Sequence, residues 1–221
     1  MRVVAIVPAR NEADRVGATV SALSRFSDEV LVIDDGSRDA TGAVALSAGA
    51  RVIRIEKGSG KGQAIERGIR SVDSPPEVWL LADADLGETA GLLAPLLEAV
   101  GDGRADLAIA VLPRQGGGFG VVKRLAAMAI ERLSGFRAQE PLSGQRAVKA
   151  EVLSGCRPIA NGFGAETAMT IDAARLGYRI VEMPTDLRHR PTGRDLGGFA
   201  HRGRQGWDIL RAVAARALGV R

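Results

Sequence analysis

The sequence predicts an α/β fold with a Rossmann-like, mostly parallel central sheet and helices on both of its faces. Two observations support this prediction. Short apolar runs typical of buried strands alternate with longer segments of helical periodicity across residues 2–111, and such alternation produces a parallel sheet that is covered on both faces. In addition, four consecutive apolar runs end in acidic, amide or Gly-Lys residues, as expected at the edge where an open α/β sheet binds ligands.

The first half of the chain is predicted to consist of βα units. Asp39 or Ser37 can cap the second helix, and Ser74-Pro75-Pro76 ends the third. We expect strands near residues 2–8, 29–34, 51–55, 77–82 and 106–112, and helices near 13–26, 39–48, 61–72 and 89–100.

A glycine-rich run at residues 116–120 interrupts this alternation. Its spacing differs from that of a dinucleotide-binding fingerprint. We interpret it as a mobile loop near a bound substrate, with a plain linker as the alternative. Beyond it we expect helices near 121–134, 165–176 and 199–218, and strands near 142–148 and 178–187.

The composition is that of a single globular domain. The chain has 221 residues, of which 46% are hydrophobic and 25% are charged. Its single cysteine, Cys156, excludes an intrachain disulfide and suits a reducing compartment. No apolar run approaches the roughly 18 residues of a spanning helix, and the chain enters a strand with no visible signal peptide. We therefore expect a cytoplasmic protein.

The charge is concentrated at the carboxyl-terminal end. Residues 187–221 hold eight arginines against Asp195 and Asp208, a net charge of +6, whereas the whole chain carries +4. This asymmetry predicts an anionic partner near that end. Nucleic acid is disfavoured, because aromatic residues are only 4% of the chain and no stacking or groove-reading motif is present.

The motif Asp83-Ala84-Asp85 follows the apolar run at residues 78–82. In an extended chain the two carboxylates point to one side, at the carboxyl end of a strand. Because they repel each other, they need a partner, and a hard divalent cation that carries a phosphate is a good one. The motif therefore predicts a site for Mg²⁺ or Mn²⁺, with a polar strand-end loop as the alternative.

Three other strand ends carry related chemistry. Residues 8–12 read Pro-Ala-Arg-Asn-Glu, residues 34–37 read Asp-Asp-Gly-Ser, and residues 57–62 read Lys-Gly-Ser-Gly-Lys-Gly. Lys61 can neutralise a phosphate, and its neighbouring glycines allow close backbone approach. A single crevice that collects these residues would form a nucleotide site.

In their order and spacing these motifs resemble the GT-A glycosyltransferases of the large family that includes the dolichyl-phosphate sugar synthases. The resemblance continues through residues 142–146, Gly164-Ala165-Glu166 and Gly177-Tyr178. It implies a GT-A fold with a smaller acceptor-side subregion. It also implies metal-dependent transfer of a sugar from a UDP- or GDP-sugar to a phosphate-bearing acceptor such as a polyprenyl phosphate.

Three alternatives stay open beside this function. The first is transfer to a small soluble acid such as 3-phosphoglycerate. A more remote one is a sugar-1-phosphate nucleotidyltransferase, although residues 8–12 lack the Gly-rich loop expected of that class. The last is a non-catalytic peripheral membrane protein, which the full set of acidic motifs argues against.

The resemblance assigns roles to individual residues. Asp85, with Asp83, would bind the metal, and Glu166 would deprotonate or orient the acceptor. Thr167 stands where inverting relatives have an aspartate, which leaves the stereochemical course open. The residues expected to bind the nucleotide sugar are Pro8, Ala9, Glu12, Asp34, Asp35, Lys61, Asp83, Ala84, Ser143 and Gly144.

His189 is a further candidate metal ligand. Its segment is similar to that of the retaining glucosyl-3-phosphoglycerate and mannosylglycerate synthases, which place a metal-binding histidine there. A solvent-facing histidine is the alternative. The arginines expected to bind the acceptor phosphate are Arg188, Arg190, Arg194 and Arg202.

We divide the chain into a nucleotide-sugar-binding half, residues 1–112, an acceptor-side half, 113–198, and a basic amphipathic helix, 199–221. The helix has an incomplete apolar stripe flanked by arginines. Such a helix can contact the inner face of a membrane, or pack against its own domain or a second subunit in a homodimer. The stripe comprises Phe199, Leu210, Val213, Ala217 and Leu218, and its flanking arginines are Arg202, Arg204, Arg211 and Arg216.

Overall fold

The computed structural model describes residues 1–113, 120–162, 164–187 and 196–219, with only the backbone described for 196–206. Its strands are β1 (Val3–Ala9), β2 (Glu29–Asp35), β3 (Arg51–Ile55), β4 (Val78–Leu81), β5 (Leu107–Val111), β6 (Arg146–Lys149) and β7 (Ile180–Pro184). Its helices are α1 (Val16–Leu23), α2 (Thr41–Ser47), α3 (Lys61–Arg70), α4 (Ala94–Gly101), α5 (Gly120–Ser134), α6 (Ala150–Gly155), α7 (Gly164–Arg175) and α8 (Leu196–Ala217).

These strands form one sheet in the order β3-β2-β1-β4-β6-β5-β7. Only β6 runs antiparallel to its two neighbours, β4 and β5, and the other strand pairs are parallel. The predicted α/β fold with a mostly parallel sheet is therefore confirmed. Strands β1, β2 and β4 all end at one edge, which brings the residues that follow them together.

The core lies on both faces of this sheet because successive side chains of a strand alternate between faces. On β1, Val3, Ala5 and Val7 pack in one apolar cluster with residues of α1 and α4. Val4 and Ile6 pack in the other cluster, with residues of α3 and α7. Strand β1 is buried on both faces, which explains why it reads as a continuous apolar run.

Two predicted elements differ from the structure, and one helix was not predicted. The helix expected at 89–100 is a 3₁₀ helix, Gly87–Leu93, followed by α4. The strand expected near 142–148 begins only at Arg146, since the preceding residues form a loop at the edge of the sheet. Helix α6 was not predicted; it is only six residues long, too short to show a helical period.

Helix α8 packs against α7 through a face that differs from the predicted stripe. Ile209, Ala212 and Arg216 are buried, whereas Leu210 and Leu218 are exposed. Arg216, which we expected to flank the stripe at the surface, donates hydrogen bonds to Asp172 at 2.8 and 3.2 Å. Within the described ranges, no helix has the length and apolarity needed to cross a bilayer.

Candidate active site

The central feature of the sheet edge is an ion cluster around Lys61, the first residue of α3. Its Nζ atom lies 2.6 Å from Oδ1 of Asp83 and 2.8 Å from Oε1 of Glu166. Gln145 donates from Nε2 to the other oxygen of Asp83, at 2.8 Å. The cluster therefore joins the end of β4, the start of α3 and the first turn of α7.

Electrostatics keep this lysine charged. Burial lowers the pKa of Lys61, but attraction to the carboxylates of Asp83 and Glu166 outweighs burial and raises the pKa above its ordinary value. One ammonium group faces two carboxylates, so the cluster as a whole is negatively charged when both are ionised. Asp85 adds a further carboxylate two residues from Asp83. A divalent cation would be attracted to this edge.

Gly144 makes room for the cluster. A Cβ atom at this position would lie 2.3 Å from Nζ of Lys61 and about 3 Å from both carboxylate oxygens of Asp83, at 3.0 and 3.1 Å. Any side chain here would displace the lysine. Ser143, one residue earlier, is buried, and its carbonyl oxygen accepts a hydrogen bond from Arg146 Nε at 2.8 Å.

The loop before Lys61 is held by Asp35. Its Oδ1 atom accepts hydrogen bonds from the backbone N–H of Ser59 at 2.7 Å and from the hydroxyl at 3.0 Å, and its Oδ2 atom accepts from the N–H of Gly60 at 2.8 Å. Gly60 has φ of +89°, a conformation that favours glycine. Asp35, which we expected to bind the nucleotide sugar, thus positions the loop that leads into Lys61.

Gly62, after the lysine, fixes the start of α3 against another loop. A Cβ atom there would lie 2.0 Å from the carbonyl oxygen of Ala160, so a side chain is excluded. The loop at residues 157–162 leads into α7 and so towards Glu166. Close packing at Gly62 therefore sets the distance between Lys61 and the start of α7.

The remaining predicted nucleotide residues line the ends of β1 and β2. Ala9 pairs in register with Asp34, whose Oδ1 accepts a hydrogen bond from the N–H of Ser37 at 2.8 Å. The N–H of Glu12 donates to Oγ1 of Thr41 at 2.9 Å. Pro8 lies one residue before Ala9 within β1. These bonds hold the two strand-end loops side by side next to the Lys61 cluster.

The turn at residues 83–85 is supported from α1, which sequence analysis missed. The Thr19 hydroxyl donates to the carbonyl oxygen of Ala84 at 2.8 Å, and Arg15 Nη1 donates to the carbonyl oxygen of Asp85 at 3.1 Å. Thr19 also accepts from the N–H of Gly87, at 2.8 Å. A threonine and an arginine near a helix start carry no sequence signal for such contacts.

Arg146 is a second residue that sequence analysis missed. It is fully buried, and its Nη1 donates to the hydroxyl of Thr170 at 2.9 Å, which in turn donates to the carbonyl oxygen of Glu166 at 3.0 Å. Burial lowers the pKa of Arg146 to about 10, with Glu166 opposing this, so the guanidinium stays charged at neutral pH. It supports the turn of α7 that carries Glu166.

The oxygen atoms of Asp83 and Asp85 suit Mg²⁺ or Mn²⁺, which are commonly bound by one or two carboxylates together with substrate phosphates. In the described part of the chain, no group of three or more His, Cys, Asp or Glu side chains could hold a metal. The predicted ligand His189 lies outside the described residues, as do Arg188, Arg190 and Arg194. The side chain of Arg202, in α8, is likewise not described.

Comparison with protein families identifies this arrangement. The model of the family described as Glycosyl transferase family 2 matches residues 4–158, more than half of the chain. The chain belongs to glycosyl transferase family 2. The match contains Lys61, Asp83, Asp85 and Gly144, and the predicted glycosyltransferase is confirmed.

Family 2 relatives cover most of this chain. Glycosyltransferase AglJ from Haloferax volcanii is 33% identical over 202 residues, which are 86% of this chain and 64% of AglJ, so the chain spans just under two thirds of that relative. A dolichyl-phosphate hexose transferase from the same organism is 29% identical over 223 residues, 94% of this chain and 92% of that protein.

Solved structures support the GT-A fold. Glucosyl-3-phosphoglycerate synthase from Mycobacterium tuberculosis, in complex with Mn²⁺, UDP and phosphoglyceric acid, matches with a TM-score of 0.83 at 25% identity, over 100% of this chain and 79% of that one. The same synthase has been solved with Mg²⁺ and UDP. The predicted GT-A architecture is confirmed.

Proposed function

We propose that this family 2 glycosyltransferase moves a sugar from a UDP- or GDP-sugar to the phosphate of a polyprenyl carrier lipid. The observation that carries the proposal is the joining of Lys61, Asp83 and Glu166 at the ligand-binding edge of the sheet. The residues before 113 supply the lysine and Asp83, and those after it supply Gly144 and Glu166. The relative that acts as a dolichyl-phosphate hexose transferase supports this acceptor class.

Each residue has a distinct task in the proposed transfer. Lys61 turns from Asp83 towards the donor diphosphate while it stays paired with Glu166, and its charge stabilises the departing group. Asp85 and Asp83 hold Mg²⁺ or Mn²⁺, with His189 as a third proposed ligand. When bound, the metal acts as a Lewis acid towards the leaving diphosphate. Pro8, Ala9, Glu12 and Asp34 bound the nucleoside pocket.

The ion pair of Glu166 favours a phosphate acceptor over a hydroxyl acceptor. A phosphate monoester has a second pKa near 6, so its oxygen attacks without first losing a proton to the enzyme. A hydroxyl acceptor needs a general base. Glu166 is buried, and its Oε1 atom is already paired with Lys61 at 2.8 Å, which suits an orienting role better than proton abstraction.

Transfer to 3-phosphoglycerate is the second candidate. It is favoured by the match to glucosyl-3-phosphoglycerate synthase bound to phosphoglyceric acid. The arginines proposed to bind the acceptor phosphate, Arg188, Arg190, Arg194 and Arg202, serve either acceptor. A polyprenyl acceptor additionally places the enzyme at the inner face of a membrane.

A transfer assay with paired acceptors tests the proposal. Purified protein is given UDP- and GDP-sugars with Mn²⁺, together with either a detergent-dispersed polyprenyl phosphate or 3-phosphoglycerate. We expect the sugar to be transferred to the lipid phosphate. This activity should be lost in EDTA and in the variant Asp85→Ala. It should be retained in the control Asp102→Ala, whose exposed carboxylate lies away from the site. Transfer only to 3-phosphoglycerate would show that this acid, and not a polyprenyl phosphate, is the acceptor. Full activity in EDTA would refute the metal-dependent mechanism.

A further inference from the structure

Exposed apolar side chains are concentrated on two neighbouring helices. Of the ten large hydrophobic residues that are exposed in the described part of the chain, five lie on α5 and α8, and a sixth, Leu218, directly follows α8. The two helices pack against each other and against α7, whose residues 164–173 are buried throughout. We call the outer surface of this pair the α5–α8 face. Its exposed apolar residues are Val121, Leu125, Met128, Trp207, Leu210 and Leu218.

The spacing of these residues makes a stripe on each helix. Val121, Leu125 and Met128 are separated by four and three residues, and so are neighbours on one side of α5. On α8, Trp207 and Leu210 are three residues apart, on the side opposite to the buried Ile209 and Ala212. Stripes this apolar on the outside of a helix pair indicate an interaction surface.

Arginines border both stripes. Arg124 and Arg132 are exposed on α5, and Arg211 is exposed on α8. The exposed carboxylate of α5, Glu131, is paired with Arg137 at 2.7 Å. The described part of the face therefore presents apolar groups within an excess of positive charge. An anionic bilayer complements both properties, and a tryptophan at its margin suits the interfacial region.

A second copy of the chain fits this surface less well. Symmetric pairing would bring the same patch of each copy together, and would place the arginines of one copy close to those of the other. Such like-charge juxtaposition opposes association. The charge of the face thus selects an anionic lipid surface over self-association.

Helix α5 also contacts the loop that leads to the active site, from the side opposite to its apolar stripe. Lys123, in the first turn of α5, pairs with Glu140 at 2.5 Å. Glu140 lies three residues before Ser143, in the loop that leads to Gly144 and the Lys61 cluster. The carbonyl oxygen of Glu140 accepts the N–H of Ser143 at 3.4 Å. Helix α5 therefore connects the α5–α8 face on one side to the loop that carries Ser143 and Gly144 on the other.

We propose that the α5–α8 face docks this protein on the surface of an anionic bilayer. The inference rests on the proposed function, because docking on a membrane would serve an enzyme whose acceptor is a lipid phosphate. It involves α5 as much as the carboxyl-terminal helix, and it leaves α8 packed in the domain rather than released from it.

Vesicle flotation with the full chain tests the docking. The probes are phosphatidylcholine vesicles with and without phosphatidylglycerol, at low and high salt. We expect binding to the anionic vesicles at low salt only. Arg124→Gln/Arg132→Gln should weaken it about 25-fold, and Val121→Ser/Leu125→Ser/Met128→Ser about tenfold or more. The matched controls Arg70→Gln/Arg104→Gln and Leu46→Ser/Leu92→Ser alter exposed residues elsewhere and should bind like the unaltered protein.

Two outcomes would overturn the proposal. One is absence of vesicle binding with a monomer in sedimentation velocity. The other is a dimer that the serine variant dissociates, which would assign the face to a second copy. These outcomes differ from failure of the proposed function. If only the proposed acceptor is wrong, the protein would still bind vesicles but would not transfer a sugar to polyprenyl phosphate. Conversely, transfer to a detergent-dispersed polyprenyl phosphate without vesicle binding would leave the function standing and refute the docking.

Discussion

Lys61 and Asp83 form a 2.6 Å ion pair at the place where the donor diphosphate and its metal are proposed to bind. The ammonium group occupies an oxygen that a divalent cation would use. Lysine and metal therefore compete for Asp83 as long as no diphosphate is present to attract the lysine away. The donor diphosphate, by attracting Lys61, would free this carboxylate for the metal.

This relationship predicts opposite effects of one substitution on two ligands. Lys61→Met should weaken binding of the nucleoside diphosphate by about tenfold or more, because a charge-assisted hydrogen bond is lost. The same change should strengthen Mn²⁺ binding in the absence of nucleotide. Calorimetric titration of each ligand measures both. Lys57→Met, at an exposed position of the same loop, is the control, and weaker binding of both ligands would contradict the competition.

Glu166→Gln separates an orienting role from a general base. We expect transfer to polyprenyl phosphate to fall by no more than about tenfold with an unchanged pH profile, because the phosphate needs no base. Loss of a general base would instead lower the rate by about 10²- to 10⁴-fold and remove a limb of the profile. Glu151→Gln, at an exposed glutamate of α6, is the control. A large loss with the lipid acceptor would show that Glu166 does more than orient it.

Gly144→Ala tests the space that the glycine leaves. The new Cβ would lie 2.3 Å from Nζ of Lys61, so the lysine must move, and we expect the affinity for the donor nucleotide to fall by about tenfold. Gly91→Ala is the matched control, because a Cβ there would point into open space. Equal donor affinity in the two variants, measured by calorimetry, would mean that Lys61 adapts without loss.

Much of the fold and several site residues could be predicted because they depend on local signals. The apolar runs that became β1, β2, β4 and β5 are buried on both faces, so their sequence is nearly continuous in apolar residues. Asp83, Lys61 and Glu166 belong to short motifs at strand ends or helix starts. Their convergence follows from topology, since parallel strands end at the same edge.

Other residues could not be predicted because their roles depend on distant contacts. Thr19 supports Ala84 across 65 positions of the chain, and Arg146 reaches Thr170 across 24. Gln145 lies within a motif that we quoted, but its bond to Asp83 depends on the antiparallel placement of β6 beside β4. An amphipathic pattern in α8 indicated an apolar face, yet the buried face was set by Asp172, which pairs with Arg216.

The pair formed by Asp172 and Arg216 predicts how firmly α8 is attached to the domain. Both side chains are only 4% exposed, and their atoms approach to 2.8 Å; the carbonyl oxygen of Arg216 also accepts from Arg175 at 2.8 Å. Removing one partner of a buried pair leaves the other charge uncompensated, which costs about 3–5 kcal/mol. We expect Asp172→Asn to lower the free energy of unfolding in urea by that amount.

Asp102→Asn, at the exposed pair with Arg104, should change the free energy of unfolding by less than about 1 kcal/mol. The double variant Asp172→Leu/Arg216→Met should recover part of the loss, because it removes both buried charges. If Asp172→Asn is as mild as the control, the ion pair is not what attaches α8, and the exposed stripe of this helix would then belong to an element that can leave the domain.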